Sequence, residues 1–149
     1  MFTITKKLRD FSAAHRLTKN YFGRCRNLHG HNYALEITLM AEQLNQYDFV
    51  LDFDDIKAHF DGWVQKNWDH VTIVSESDLA LIEFLIKEEQ NYFVIPGNKS
   101  TSAESLAEFL FHQFRSILES LNDPRVQLKS VSVFESETAC ATYWITSIV

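Results

Sequence analysis

The stretch Cys25-Arg26-Asn27-Leu28-His29-Gly30-His31 sets one thiol and two imidazoles close together in the chain. Such a set can hold a metal ion, or it can place a proton-transferring thiol beside one. In an extended segment residues i and i+2 point to the same side, so His29 and His31 can reach a single ion. Gly30 between them permits a close backbone approach or a kink. His15, in the upstream run FSAAHRL, joins them if that segment pairs antiparallel with residues 31–41. Three neutral imidazoles suit Zn²⁺, and a fourth position left open makes the centre catalytic. Two other readings stand beside this one. An H-x-H pair on a strand also occurs without metal, and Cys25 as a fourth ligand would close the site into a structural Cys/His₃ centre. His59 and His112 fall on helical segments and read as solvated or satisfied.

These side chains need a frame, and the hydropathy pattern describes one. Residues 2–9 and 11–17 read as extended, and 31–41 alternates, with His31, Tyr33, Leu35, Ile37 and Leu39 on one face. From Asp52 to about Asn67 the period changes to four, through Ile56, Phe60 and Val64, which predicts a helix with Asp54 and Asp55 favouring its N-terminal dipole. Residues 77–90 carry Leu79, Ile82, Leu85, Ile86 and Glu89 at helical spacing, and 92–95 reads as a short strand before a Pro-Gly-Asn turn. The clearest helix is 101–121, with Thr101 and Glu104 as a capping box and Leu106, Phe109, Leu110, Ile117 and Leu121 as its buried stripe. Residues 126–135 and 139–149 read as two strands joined by Ser-Glu-Thr. The expected fold class is α+β, an antiparallel sheet with helices packed on one face.

Bulk properties narrow the function classes. A chain of 149 residues with 12 Phe, 4 Gly and 2 Pro is expected to form one dense domain over 1–149. The formal charge of −6, with no Lys/Arg run, argues against binding a nucleic-acid backbone. The first residues lack the apolar stretch of a signal peptide, and no run reaches the ~18 apolar residues of a membrane span. A cytoplasmic address is the expectation, with Cys25 and Cys140 as reduced thiols.

Taken in order, FSAAHRL, CRNLHGH, WDH, TSAES and FESETACATY resemble the 6-pyruvoyl-tetrahydropterin synthase family, including its 6-carboxy-tetrahydropterin synthase branch. The resemblance runs over nearly the whole chain. It implies a tunnelling fold whose sheets assemble through trimers into a homohexameric barrel, with active sites shared across subunits. It implies Zn²⁺ on His15, His29 and His31, Cys25 as the proton-transferring thiol, and Asp69 and His70 as a catalytic relay. Glu135 would anchor the pterin ring, with Glu104 and the Thr101 to Ser102 backbone lining the pocket. The implied substrate is 7,8-dihydroneopterin triphosphate. The leading product is 6-carboxy-tetrahydropterin, formed with loss of triphosphate and acetaldehyde in queuosine-type deazapurine synthesis. The alternatives are the 6-pyruvoyl product and, from another class, a non-catalytic zinc or pterin-binding module.

The chain departs from the family pattern in particular places. Trp68 stands where leucine usually precedes Asp-His, residues 74–95 are longer than in short bacterial members, and Thr-Ser-Ala replaces the common Pro-Thr before Glu104. Glutamate in place of the motif cysteine goes with an aldol-type cleavage, so Cys25 argues against that branch. Adjacent side chains diverge in regular structure, so a direct Asp69–His70 contact requires irregular backbone there.

Overall fold

A computed structural model describes residues 1–18 and 20–144. Seven strands form one curled, half-barrel sheet in the order β5-β4-β2-β3-β6-β7, with β1 also on β3. The long strand β3 (His29–Ala41) is its spine. Along one edge, β2 (Phe11–His15) pairs with its first half and β1 (Phe2–Lys7) with its second, both antiparallel. Along the other edge runs β6 (Val126–Ser136), which turns through Glu137 and Thr138 into β7 (Ala139–Trp144). Residues 145–149, expected as the end of the last strand, lie outside the described residues.

The 2.0-residue period of β3 sets the core. Tyr33, Leu35, Ile37 and Leu39 are fully buried on one face, as their alternation requires. Against that face lie α1 (Phe53–Ile56), a π-helical segment (Lys57–Asp61) and α2 (Gly62–Asn67), and then α4 (Ala103–Ser120). Asp52 caps the first of these by accepting from the Asp54 N–H at 2.8 Å. Ile56, Phe60 and Val64 are all fully buried, so the four-residue spacing names the inner face correctly.

Three expectations need correction. The sheet is mixed rather than antiparallel throughout: β4 (Val71–Ser75) runs parallel to β2, and β5 (Tyr92–Ile95) runs parallel to β4. Nor do all helices lie on one face. Ile73, Phe93 and Ile95 enter the main core, whereas Val74, Tyr92 and Val94 pack with Leu81 and Leu85 of α3 (Leu79–Lys87) in a second cluster on the other side. Parallel neighbours need a crossover connection, and α3 provides it between β4 and β5. The inner face of α3 is therefore Leu81 and Leu85, while Leu79 and Ile86 are exposed. Finally, α4 is capped by Ser102, whose hydroxyl accepts from the Ser105 N–H, and not by Thr101. Of its expected stripe Leu106 and Leu110 are fully buried and Phe109, Ile117 and Leu121 are partly buried on the same core, while Ala107, Phe111, Phe114 and Leu118 complete the buried face.

Trp68 closes the layer beneath the site. Its indole is fully buried, stacked on Phe109 at 5.8 Å and edge-on to Trp63 and Phe93. A Trp68→Ala chain is expected to lose ~3–5 kcal/mol of stability, because a large cavity opens between α2, α4 and β5. Urea unfolding checks this, and a loss below ~1 kcal/mol would show that the layer collapses freely around the gap.

Candidate metal and pterin site

The antiparallel register of β2 on β3 sets His15 directly opposite His29 and Ala13 opposite His31. Because Phe11, Ala13 and His15 share one face of β2, and His29, His31 and Tyr33 one face of β3, all three imidazoles converge. Their rings lie 4.6, 5.0 and 5.1 Å apart, and one ligand atom from each falls within 4.8 Å of the others. Among the described residues this is the one His/Cys/Asp/Glu group so arranged, and Cys25 is not in it. Gly30 suits the close approach of the two strands, since a Cβ there would sit 3.3 Å from the Ala13 carbonyl oxygen, tighter than an ordinary contact.

Ring orientation is fixed from behind. The Nδ1–H of His15 donates to the Thr101 carbonyl at 2.8 Å, and that of His29 to the Asn27 carbonyl at 2.7 Å. Each bond places the proton on Nδ1 and leaves the Nε2 lone pair facing the centre, the arrangement of metal-ligating histidines. The His15 Nε2 is buried with no hydrogen-bond partner. A buried, unpaired lone pair inside a triangle of imidazoles is costly in an empty protein and is satisfied by a cation. The residues present fit a zinc ion. Thr101, read from the sequence as a pocket-lining residue, is thus engaged twice beneath the site: its carbonyl orients His15, and its hydroxyl donates to the Arg16 carbonyl at 3.0 Å. Ser102 caps α4 next to it, and Glu104 in the first turn is exposed.

Burial holds His15 neutral. It is 2% exposed, and desolvation, with repulsion from His29 and His31, lowers its pKa from 6.5 to about 4 against the pull of the Thr101 carbonyl. Between those values the unfolded chain binds a proton that the folded chain refuses. Stability from this group is therefore complete above pH ~6.5 and is lost as pH falls toward ~4. The metal-free protein is expected to lose on the order of 3 kcal/mol across that window, and a His15→Gln chain to lack that component. Urea midpoints at about pH 7 and about pH 4.5 measure it; identical pH dependence in both chains would contradict it.

Cys25 sits on a 3₁₀ turn (Arg24–Arg26) tied to both ligand strands. Its carbonyl accepts from the Leu17 N–H at 2.8 Å, two residues past His15, and the turn ends at Asn27, whose carbonyl holds His29. The thiol is free and partly exposed, and it lies outside the group of three imidazoles.

Glu135 reaches the same centre from β6, with a carboxylate oxygen 3.8 Å from the His15 Nε2. Asp69 and His70 do form a pair: the carboxylate lies 3.0 Å from the His70 Nδ1, and the irregular backbone that this requires is present as a left-handed His70 at φ 59°. The Ser12 N–H, which donates to Asp69 at 3.1 Å, and then His70 hold the carboxyl below the usual carboxylate range. The pair is not part of the group of three imidazoles, although His70 and His31 both line a groove along β2 and β3. His70 is 81% exposed and borders a groove with Ser12 and Asn32, which point away from His15, His29 and His31. The sequence reading missed Tyr33 as a site residue. Its phenol is fully buried against His31 and His15, and desolvation, then the Glu135 charge, raises its pKa and keeps it protonated.

A family model described as 6-pyruvoyl tetrahydropterin synthase matches residues 3–146. The chain belongs to that family. It is 28% identical to the 6-carboxy-5,6,7,8-tetrahydropterin synthase of Haemophilus influenzae, over 96% of this chain and 99% of that protein. The enzyme of the same name from Rickettsia bellii is 38% identical over 78 residues, so the match there spans 52% of this chain and about half, 55%, of the relative. The structure of Caenorhabditis elegans 6-pyruvoyl tetrahydropterin synthase superposes with a TM-score of 0.68 at 25% identity, covering 98% of each chain. The family model is one of tetrahydropterin synthases. Among the described residues, no helix is long and apolar enough to cross a membrane.

Proposed function

We infer that the chain is a zinc-dependent lyase converting 7,8-dihydroneopterin triphosphate to 6-carboxy-5,6,7,8-tetrahydropterin, with release of triphosphate and acetaldehyde. The carrying observation is the triangle of His15, His29 and His31, with two Nδ1 atoms tied back to carbonyls and a buried His15 Nε2 left unpaired. The names of the sequence relatives support the carboxy-forming branch over the pyruvoyl-forming one.

His15, His29 and His31 would hold the zinc, which supplies Lewis acidity to the side-chain hydroxyls of a bound pterin. Cys25, as thiolate, takes a carbon-bound proton of that side chain. A thiol of ordinary pKa is only slightly ionised near neutrality, so it needs an adjacent imidazole to accept its proton. His70 is that imidazole, oriented by Asp69 as a carboxylate orients histidine in a triad. His70 is largely exposed and outside the group of three imidazoles, and in this reading a second copy supplies its Asp69–His70 pair to the site, as in a homo-oligomer whose sites are shared. A chain fully active as a monomer by light scattering would contradict this. Glu135 accepts hydrogen bonds from the pterin 2-amino group and ring N–H, a charge-assisted bidentate contact. Balance requires one water, which supplies the second carboxyl oxygen, and no external redox cofactor: the ring gains the two electrons that the side chain loses.

The test is mass spectrometry of the products after the zinc-loaded protein meets 7,8-dihydroneopterin triphosphate without reductant. The expected products are 6-carboxy-tetrahydropterin, acetaldehyde and triphosphate. A pyruvoyl product would move the protein to the other branch, and unchanged substrate would leave a zinc or pterin-binding module. With the carboxy product, a deazapurine pathway of the queuosine type and a cytoplasmic address follow as the setting.

A further inference from the structure

A buried hydroxyl without a partner is costly, and in a folded protein it marks strain or a function. Tyr33 carries such a group. Its ring is 0% exposed, stacked on Phe11 at 5.3 Å and edge-on to His31 at 5.3 Å and His15 at 5.9 Å, while its Oη has no hydrogen-bond partner. A phenylalanine would fill the same space without that cost. The acid facing it is Glu135. The β3–β6 ladder runs through Leu35–Val133 and ends at Ala34–Phe134, so Tyr33 and Glu135 are the first residues past its end, with Glu135 at the irregularity between Phe134 and Ser136. Both groups border the same imidazole: the Tyr33 ring lies 5.9 Å from the His15 ring, and a Glu135 oxygen 3.8 Å from the His15 Nε2. The same carboxylate has a second attraction, for its oxygen already stands 3.8 Å from the His15 Nε2 and can compete for a metal held there.

We propose that Tyr33 is a positioning residue, whose hydroxyl donates to the Glu135 carboxylate and keeps it turned to the pterin instead of the metal. This rests on Glu135 as the pterin anchor. The hydroxyl thus serves the ligand-bound state and is left unpaired without it, which explains why a polar atom occupies a fully buried place.

The test is a double-mutant cycle on the zinc-loaded protein, with neopterin as the probe and its fluorescence as the readout. Tyr33→Phe is expected to weaken neopterin binding roughly tenfold in the wild-type background and to have no effect in a Glu135→Gln background. Stoichiometric zinc and an equal or higher Tm are expected to remain. With cobalt in place of zinc, Tyr33→Phe is expected to weaken the visible d–d absorption as Glu135 adds to the metal, and Tyr33→Phe with Glu135→Gln to restore it. Equal weakening in both backgrounds, unchanged binding with an unchanged cobalt spectrum, or loss of zinc would overturn the role of Tyr33. Wild-type protein that binds zinc but no neopterin would overturn the reading of Glu135 itself.

Discussion

A Cys25→Ala chain is expected to keep its zinc, its fold and its affinity for the pterin, and to lose turnover by ~10²–10⁴, the usual contribution of a positioned proton-transfer group. The reason lies in the placement of the thiol. The 3₁₀ turn is held by main-chain bonds, the Leu17 N–H to the Cys25 carbonyl and the Asn27 N–H to the Arg24 carbonyl at 3.0 Å, and neither uses the side chain. The thiol also lies outside the group of metal-ligating atoms. Removing it therefore leaves the frame and the imidazoles intact. Full turnover in Cys25→Ala would remove the thiol from the mechanism. Loss of zinc in the same chain would make Cys25 a fourth ligand and the centre a closed, structural one.

His29→Ala and His31→Ala are each expected to lose most of the bound metal, and activity with it. Even removal of a hydrogen-bond partner behind a ligand costs roughly 10–100-fold in affinity, and removal of one imidazole from three costs more. These two positions are better tests than His15, which is buried and bonded to Thr101, so that its replacement also disturbs the junction of β2 with α4. His29 and His31 stand half-exposed at the mouth of the site, and their loss leaves the core residues Tyr33 to Leu39 in place. Metal content after dialysis, read together with the Tm of each metal-free chain, separates the effects. Stoichiometric zinc in either variant would contradict the assignment.

The triangle of imidazoles was legible because two simple rules act together. Residues 29 and 31 share a strand face, and an antiparallel neighbour brings His15 alongside; the register places it opposite His29. The core face of β3 and the inner face of the helix through Ile56, Phe60 and Val64 follow from the same kind of periodicity. What escaped was set by longer-range packing. The strand Val71–Ser75 is five residues long and mostly buried, so it shows no alternation, and its parallel pairing leaves no mark in the sequence. That pairing moves α3 to the opposite face, where Leu81 and Leu85 are chosen over the equally apolar Leu79 and Ile86.

The longer 74–95 segment gains a structural role from this arrangement. Asp78 caps α3 and binds Arg16 through two bonds of 2.7 Å, directly beside His15. The crossover is thus pinned to the strand that carries a metal ligand. Similarly, the one-residue error at the start of α4 has a consequence at the site. With Ser102 taking the cap, the Thr101 carbonyl and hydroxyl are left to brace His15 and Arg16, a role that no spacing rule exposes.

The most direct measurement is product formation from 7,8-dihydroneopterin triphosphate as zinc is titrated into chelator-stripped protein. Turnover is expected to be absent without metal, to rise linearly with added zinc and to stop rising at one equivalent per chain, the capacity of His15, His29 and His31. Turnover in the stripped protein, or none at any level of bound zinc, would contradict a metal-dependent pterin lyase built on those three residues.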